Sequence, residues 1–220
     1  MTAITDRIPT PPAAAGGKPS TAPGEPVLAR REPFSLSETE FRRLQETDGS
    51  VRGYELENGR LVPMPPVYGS QGRAWGRLYR GLANFVEERS LGEVLLDQAT
   101  YLGPGERRRY FPDIVYLSNE DLGRFDGEQV TGPPTMVCEV ANATSWDRDH
   151  GEKSRAYFEA GVPWYWIVDL VEGQTKEYRR GGGGYELVSL TPLDQPFRPR
   201  LFPGLETVVA PPAAGTSSTG

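Results

Sequence analysis

The sequence predicts one α/β domain, and three features of it carry that prediction. Residues 135–140 form a nearly continuous apolar run, and a helical stretch and a second apolar run at 164–169 follow. Strand, helix, strand in that order and length suits a parallel crossover. Residues 69–89 repeat Trp75, Leu78, Tyr79, Leu82, Phe85 and Val86 at helical spacing, the pattern of a long amphipathic helix. Residues 54–62 place Asn58-Gly59 between two short runs. Those two residues supply the positive φ angles of a type I′ hairpin turn.

The remaining elements follow in chain order. Ser37 and Glu40 fit a capping box, which predicts a short helix to about Glu46 with Phe41 and Leu44 inward. Gln71 falls on the same face of the long helix as Trp75, one turn earlier. Residues 93–102 and 110–117 read as two strands joined by a polar loop over 103–109. After Asn142-Ala143-Thr144-Ser145, a helix is expected from about Asp147 to Ala160, stopped by Gly161 and Pro163. Residues 175–179 and 185–190 flank a glycine run and make a last hairpin. No internal repeat is present.

The 220 residues suit a single domain with a core of its own. Nine of the 21 prolines fall in residues 1–33 and 210–220, which are otherwise rich in Ala, Thr and Gly with almost no apolar periodicity. Residues 1–33 and 210–220 are therefore expected to be disordered tails around a folded part at 34–209. No apolar run reaches membrane-spanning length, and the N-terminus lacks a signal-peptide pattern. The single cysteine, Cys138, allows no intrachain disulfide. A cytoplasmic protein is the expectation.

Composition also narrows the chemistry. His150 is the one histidine, so zinc sites built on Cys and His are excluded. It lies in a polar helix start and is expected to be exposed, away from any nucleophile it could activate. No phosphate-binding glycine loop is present. What remains is carboxylate chemistry, which favours hard cations. The net charge of -6 is not the basic footprint of a strong nucleic-acid binder. Arg107-Arg108-Arg109 and Arg73, Arg77 and Arg80 offer local basic rims, though such runs are usually plain solvated faces.

Glu139 stands out because it interrupts the apolar run 136–140. A carboxylate in a buried strand is costly unless it is paired or bound to a metal. The pattern leaves both open: a metal-facing acid, or one half of an ion pair with an arginine. Asp113 follows Pro112 at a strand start, where alone it reads as a turn aspartate. Together, two neighbouring strands can bring both acids to one sheet edge, where they repel unless a cation bridges them. Lys153 shares a helix face with Ala156, Tyr157 and Ala160, so it leans toward the sheet near Glu139. It either serves the site or covers apolar surface. Glu55 is a fourth acidic candidate, although the hairpin pattern alone favours a surface position.

In order, these residues resemble a known family. Tyr54-Glu55-Leu56, Asn58-Gly59, the glycine-rich turn before the long helix, Pro112-Asp113, Glu139-Val140, Lys153 with Tyr157, and Gly161-Val162 before Trp166-Ile167-Val168-Asp169 are similar to the Uma-type "putative restriction endonuclease" family, a branch of the PD-(D/E)XK nuclease superfamily. The resemblance spans roughly 34–209. It implies a restriction-endonuclease-like fold, with a mixed central sheet flanked by helices. It also implies Mg²⁺ or Mn²⁺ held by Asp113, Glu139 and the Val140 carbonyl, with Lys153 and Glu55 completing the catalytic set. Gln71 and Tyr157 would support them. The superfamily lysine two residues after the glutamate is replaced here by Ala141, and Lys153 is the substitute. The family often has a histidine where this chain has Gln71, and a Ser-Pro-Ser-type loop where it has Asn142-Ala143-Thr144-Ser145.

The resemblance implies an endonuclease that hydrolyses phosphodiester bonds of nucleic acid, DNA before RNA. Cutting both strands of a duplex usually takes two centres, which favours a homodimer. Two rivals stay open. One is an inactive nucleic-acid or protein-interaction module on the same fold, which the acidic balance, Ala141 and Gln71 favour. The other is a purely structural acidic network.

Overall fold

The computed structural model describes residues 36–47, 53–64, 66, 69–103 and 108–210. The expected N-terminal tail lies outside the described residues, as does all of the C-terminal one except residue 210. The middle of the 103–109 loop, with Arg107, lies outside them too. The fold is a mixed α+β arrangement with two mixed sheets.

Helix α1 (Glu38–Thr47) starts at the expected capping box. The Ser37 amide donates to Glu40 Oε2 at 2.8 Å, and the Glu40 amide donates to Ser37 Oγ at 3.2 Å. Strands β1 (Tyr54–Glu57) and β2 (Arg60–Pro63) form the hairpin. Asn58 at φ 51° and Gly59 at φ 84° turn it. Helix α2 (Gly69–Glu88) buries Gln71, Ala74, Leu78, Leu82, Phe85 and Val86.

The two long strands expected over 93–102 and 110–117 are each broken. The first becomes β3 (Gly92–Leu96) and β4 (Thr100–Tyr101). The second becomes β5 (Arg109–Tyr110) and β6 (Ile114–Ser118). β3 pairs with β6 in one sheet, while β4 pairs with β5 in the other. The breaks face each other, since the Asp97 amide donates to the Asp113 carbonyl at 3.2 Å. Asp97 has left-handed backbone at φ 44°, and Pro112 has no ladder donor. Both residues therefore end regular pairing at one level, and the hairpin bends from one sheet into the other.

The larger sheet is completed by β8 (Met136–Ala141), β9 (Trp164–Asp169), β10 (Gln174–Arg180) and β11 (Tyr185–Pro192). Its order is β11-β10-β9-β8-β6-β3, and β8 and β9 form the expected parallel pair. The smaller sheet runs β2-β1-β5-β4-β7, where β7 is Val130–Thr131. The crossover helix is interrupted. α3 (Trp146–Arg148) passes through a π-helical turn at Asp149–Lys153 into α4 (Ser154–Ala160), and Gly161 caps it at φ 93°.

Both faces of the large sheet are covered. Met136, Cys138, Val140, Trp166 and Val168 pack beneath α2 with Phe197, Phe202 and Leu205 from the C-terminal segment. Val137, Ala141, Tyr165 and Ile167 pack on the other face with Ala156 and Tyr157 of α4. Along β8 the side chains alternate between faces, as a strand demands. That alternation puts Glu139 on the α4 side, in line with Val137 and Ala141.

Among the described residues, no helix is long and apolar enough to cross a membrane.

Candidate active site

The acidic residues collect where β6, β8, the small sheet and the interrupted helix meet. Ile114 pairs with Cys138 across the antiparallel β6–β8 ladder. One step further, Asp113 lies across from Glu139. The Asp113 carboxylate accepts the Val140 amide at Oδ2, 2.6 Å away. Glu139 is buried, and its Oε1 accepts from Lys153 Nζ at 3.0 Å and from the Tyr157 hydroxyl at 2.7 Å. Among the described residues no arginine pairs with Glu139: the cation beside it is Lys153.

Lys153 reaches the site from the π turn. Its Nζ also lies 3.4 Å from Glu55 Oε1 and 3.7 Å from Asp149 Oδ1. Glu55 is only 2% exposed, so the surface reading of the hairpin pattern fails. Its Oε1 accepts the Phe111 amide at 2.9 Å, and its Oε2 lies 2.5 Å from Arg148 Nη1. Arg148 also binds Glu57, which fastens the crossover helix to the first hairpin.

Gln71 serves the strand carbonyl. Its Nε2 donates to the Val140 oxygen at 2.9 Å, and its Oε1 accepts from Asn142 Nδ2 at 2.9 Å. The Thr144 amide donates to Asn142 Oδ1 at 2.8 Å. That bond sets the orientation of both amides in turn.

These residues line one narrow cleft. Its walls include Glu55, Gln71, Asp97, Asp113, Glu139, Val140, Asp149 and Lys153. Every residue named from the sequence lines it except Tyr157, which stands behind Glu139. Asp97 and Asp149 are site residues that sequence reasoning missed. Asp149 had a signal: it precedes Lys153 by four residues, one helical turn. Asp97 had none, because it sits inside a run that reads as a continuous strand.

His150 is not the exposed residue expected. Its ring stacks on Trp146 with centroids 4.2 Å apart, and its side chain is 12% exposed. The π turn directs it away from the cleft, toward Asp169, with Nε2 3.3 Å from Oδ2. It remains outside the cleft.

Five carboxylates face one lysine in this cleft, and their acidities record the imbalance. Burial pushes Asp113 up to about 7, although the Val140 amide and Lys153 pull the other way. Burial likewise raises Glu139 well above the usual carboxylate range, against the pull of Lys153, with Asp149 and Asp113 adding to the rise. Asp149 and Asp97 are raised as well, burial first. Glu55 is the exception: burial would raise it, but Lys153 and Arg148 hold it below its ordinary value. Burial would lower Lys153, yet Glu139, Glu55 and Asp149 hold it above a free lysine. Lys153 is therefore a fixed cation among acids that hold protons more tightly than usual.

The donors available to an ion are oxygens: the carboxylates of Asp113 and Glu139 and the Val140 carbonyl, whose second lone pair is open to a further partner. That set suits Mg²⁺ or Mn²⁺. As the side chains stand, no three of His, Cys, Asp and Glu among the described residues are drawn together into a finished ligand set.

The family model of Uma2, described as "Putative restriction endonuclease", matches residues 39–211. The chain belongs to the Uma2 family. A crystal structure of a protein from Anabaena variabilis, titled a putative nuclease belonging to DUF820, superposes with a TM-score of 0.62. The match is at 15% identity over 79% of this chain and 95% of that one, a likeness of fold. No curated protein matches the chain. The Uma2 description supports a nuclease.

Proposed function

We propose that the chain is a divalent-metal-dependent endonuclease that hydrolyses phosphodiester bonds, with DNA as its substrate. One observation supports this above the others. Asp113 and Glu139 lie across from each other on adjacent strands, tied by the bond from the Val140 amide to Asp113, with a buried lysine 3.0 Å from the glutamate.

In this reading Asp113, Glu139 and the Val140 carbonyl hold Mg²⁺ or Mn²⁺. Such an ion lowers the pKa of a bound water and offsets charge on the scissile phosphate. The protein's own groups do the rest. Glu139 and Glu55 grip Lys153 from two sides, so its Nζ stays charged and fixed in position. From there it can donate to an attacking water or to a phosphate oxygen as negative charge grows. Tyr157 holds Glu139 Oε1 and so orients the carboxylate. Glu55 keeps Lys153 aligned and joins the first hairpin to the site through the Phe111 amide.

One of the three features that favour the binding-module alternative, Ala141 in place of the superfamily lysine, is offset in this reading. Ala141 lies in the apolar layer on the α4 face, and Lys153 supplies a cation from the opposite helix.

The direct test is Mn²⁺ calorimetry on the wild type and on Glu139→Ala, paired with a DNA-cleavage assay. The expected result is Mn²⁺ binding and Mn²⁺-dependent cutting by the wild type. Both should fall by at least about a hundredfold in the variant, the upper end of what loss of an outer partner costs a metal site. A wild type that binds no metal, or a variant that cuts as well, overturns the reading.

A further inference from the structure

We propose that the outward face of α2 is a docking surface for the phosphodiester backbone of duplex DNA, centred on Arg73, Arg77 and Arg80. This rests on the nuclease reading above and adds where the substrate is gripped. The three arginines, with Gly72 and Gly76, line a shallow trough on the helix. All three are exposed.

Several other exposed or half-buried arginines are neutralised locally, while Arg43, Arg60, Arg179, Arg180 and Arg200 also form no ion pair among the described residues but do not line one helix face. Arg108 and Arg155 meet Glu159, Arg148 meets Glu55 and Glu57, and Arg198 meets Glu206. No ion pair among the described residues uses Arg73, Arg77 or Arg80. On a chain of net charge -6, this stripe is a local excess of positive charge. The spacing is that of one helix face, i, i+4 and i+7. At 1.5 Å of rise per residue the stripe runs about 10 Å. One DNA strand carries a phosphate roughly every 3.4 Å of axis, so the stripe can meet two to three of them.

The floor of the trough points to close approach. A Cβ at Gly76 would meet nothing within 4 Å, so packing inside the chain does not require glycine there. A glycine within a helix is destabilising against alanine. Its use lowers the floor to bare backbone between two arginines, which admits a phosphate. A second copy of this chain suits the face poorly, because a twofold contact would set the stripe against itself.

The trough also adjoins the cleft. Gln71 and Trp75 line the acidic cleft, and their chain neighbours Gly72 and Gly76 line the trough. Each pair is separated by one residue's rotation about the helix. A strand gripped along the arginines therefore leads toward Asp113 and Glu139.

The test is fluorescence anisotropy with a short labelled DNA duplex across a salt series, in EDTA so that nothing is cut. The full-length wild type is compared with Arg73→Ala/Arg77→Ala/Arg80→Ala, with Gly76→Leu and with Arg198→Ala as a remote control. The triple variant should bind at least tenfold more weakly at low salt. Its slope of log affinity against log salt should fall by roughly 2 to 3, at about 0.9 per phosphate contact. Gly76→Leu should weaken binding and Arg198→Ala should not. Equal affinity and slope in the wild type and the triple variant would overturn the proposal. So would a wild type that ignores duplex DNA or prefers duplex RNA, or a triple variant whose sedimentation reveals a lost dimer. Mn²⁺-dependent cutting that needs Glu139 but not the arginines would remove this surface and leave the nuclease reading intact. Arginine-dependent binding with no cutting by any form would do the reverse.

Discussion

Two buried acid–lysine networks sit on neighbouring strands of the large sheet and differ in how they are balanced. At the end of β9, Asp169 is fully buried. Its Oδ1 accepts the Val171 and Glu172 amides, and its Oδ2 accepts Trp146 Nε1 at 2.9 Å and Lys176 Nζ at 3.1 Å. Burial would raise its pKa, but the Glu172 amide, Trp146 and Lys176 together hold it below the ordinary value. On β8, Glu139 has a lysine as well, yet four further carboxylates share the cleft. There every acid but Glu55 is pushed upward. The first network is closed and satisfied within the chain. The second carries more negative charge than its lysine can offset, and it opens to a cleft. A buried acid–lysine pair is thus a strut in one place and a candidate reaction centre in the other, and the surplus of acid separates them.

The largest effect expected from breaking this comparison is on the closed side. Asp169→Ala leaves Lys176 buried with one carboxylate, Glu172, 2.6 Å away, and the His150 ring 3.3 Å away. Removing one partner of a buried pair costs about 3–5 kcal/mol, and the remaining glutamate keeps the loss near the lower end. Urea unfolding measures it. Cleavage per folded molecule should be unchanged. A loss under about 1 kcal/mol would mean that the strut is not a strut.

A smaller effect, of opposite sign, is expected on the open side. Asp113 is raised from 3.8 to about 7 in the folded chain. A carboxyl raised on folding binds more protons folded than unfolded, so its contribution is fully present below pH 4. It is lost as pH rises through 7. The metal-free wild type should therefore melt several degrees lower at pH 8 than at pH 5, and Asp113→Asn should flatten that slope. Mn²⁺ should bind more tightly as pH rises across the same interval, because the ion displaces the proton. A thermal melt at the two pH values decides it. Equal slopes in the wild type and Asp113→Asn would place the titration elsewhere.

The comparison also marks what the sequence could and could not reveal. Glu139 was legible because a charge inside an apolar strand has few explanations, and Lys153 because helical spacing places it beside Ala156 and Tyr157. The hairpin, the long helix and the parallel crossover were legible because each carries a strong local period or turn signal. Asp97 was not, because a break that sends one strand into two sheets leaves no mark on a run of alternating residues. The second sheet was missed for the same reason: β4, β5 and β7 are two residues each and too short to show a period. His150 looked exposed because its neighbours are polar. Only the π turn reveals that Trp146 and Asp169 enclose it.

The smallest effect concerns how the open network is held in shape. Gln71 reaches from α2 to the Val140 carbonyl, and Asn142 fixes its orientation. In the proposed reading that carbonyl is one of three donors to the ion, so Gln71 would act on the ion through it. Gln71→Ala removes one buried hydrogen bond to a neutral acceptor, worth about 1 kcal/mol of stability. If the bond only braces α2 against β8, the loss ends there. If it also aims the carbonyl, Mn²⁺ affinity should fall about tenfold, the lower range for an outer partner of a metal site. Calorimetry on Gln71→Ala and Gln71→Glu separates the two. Glutamate keeps the reach but cannot donate once ionised, so it should behave like alanine if aiming matters. An affinity unchanged in both variants would make Gln71 a brace alone and leave the metal to Asp113 and Glu139.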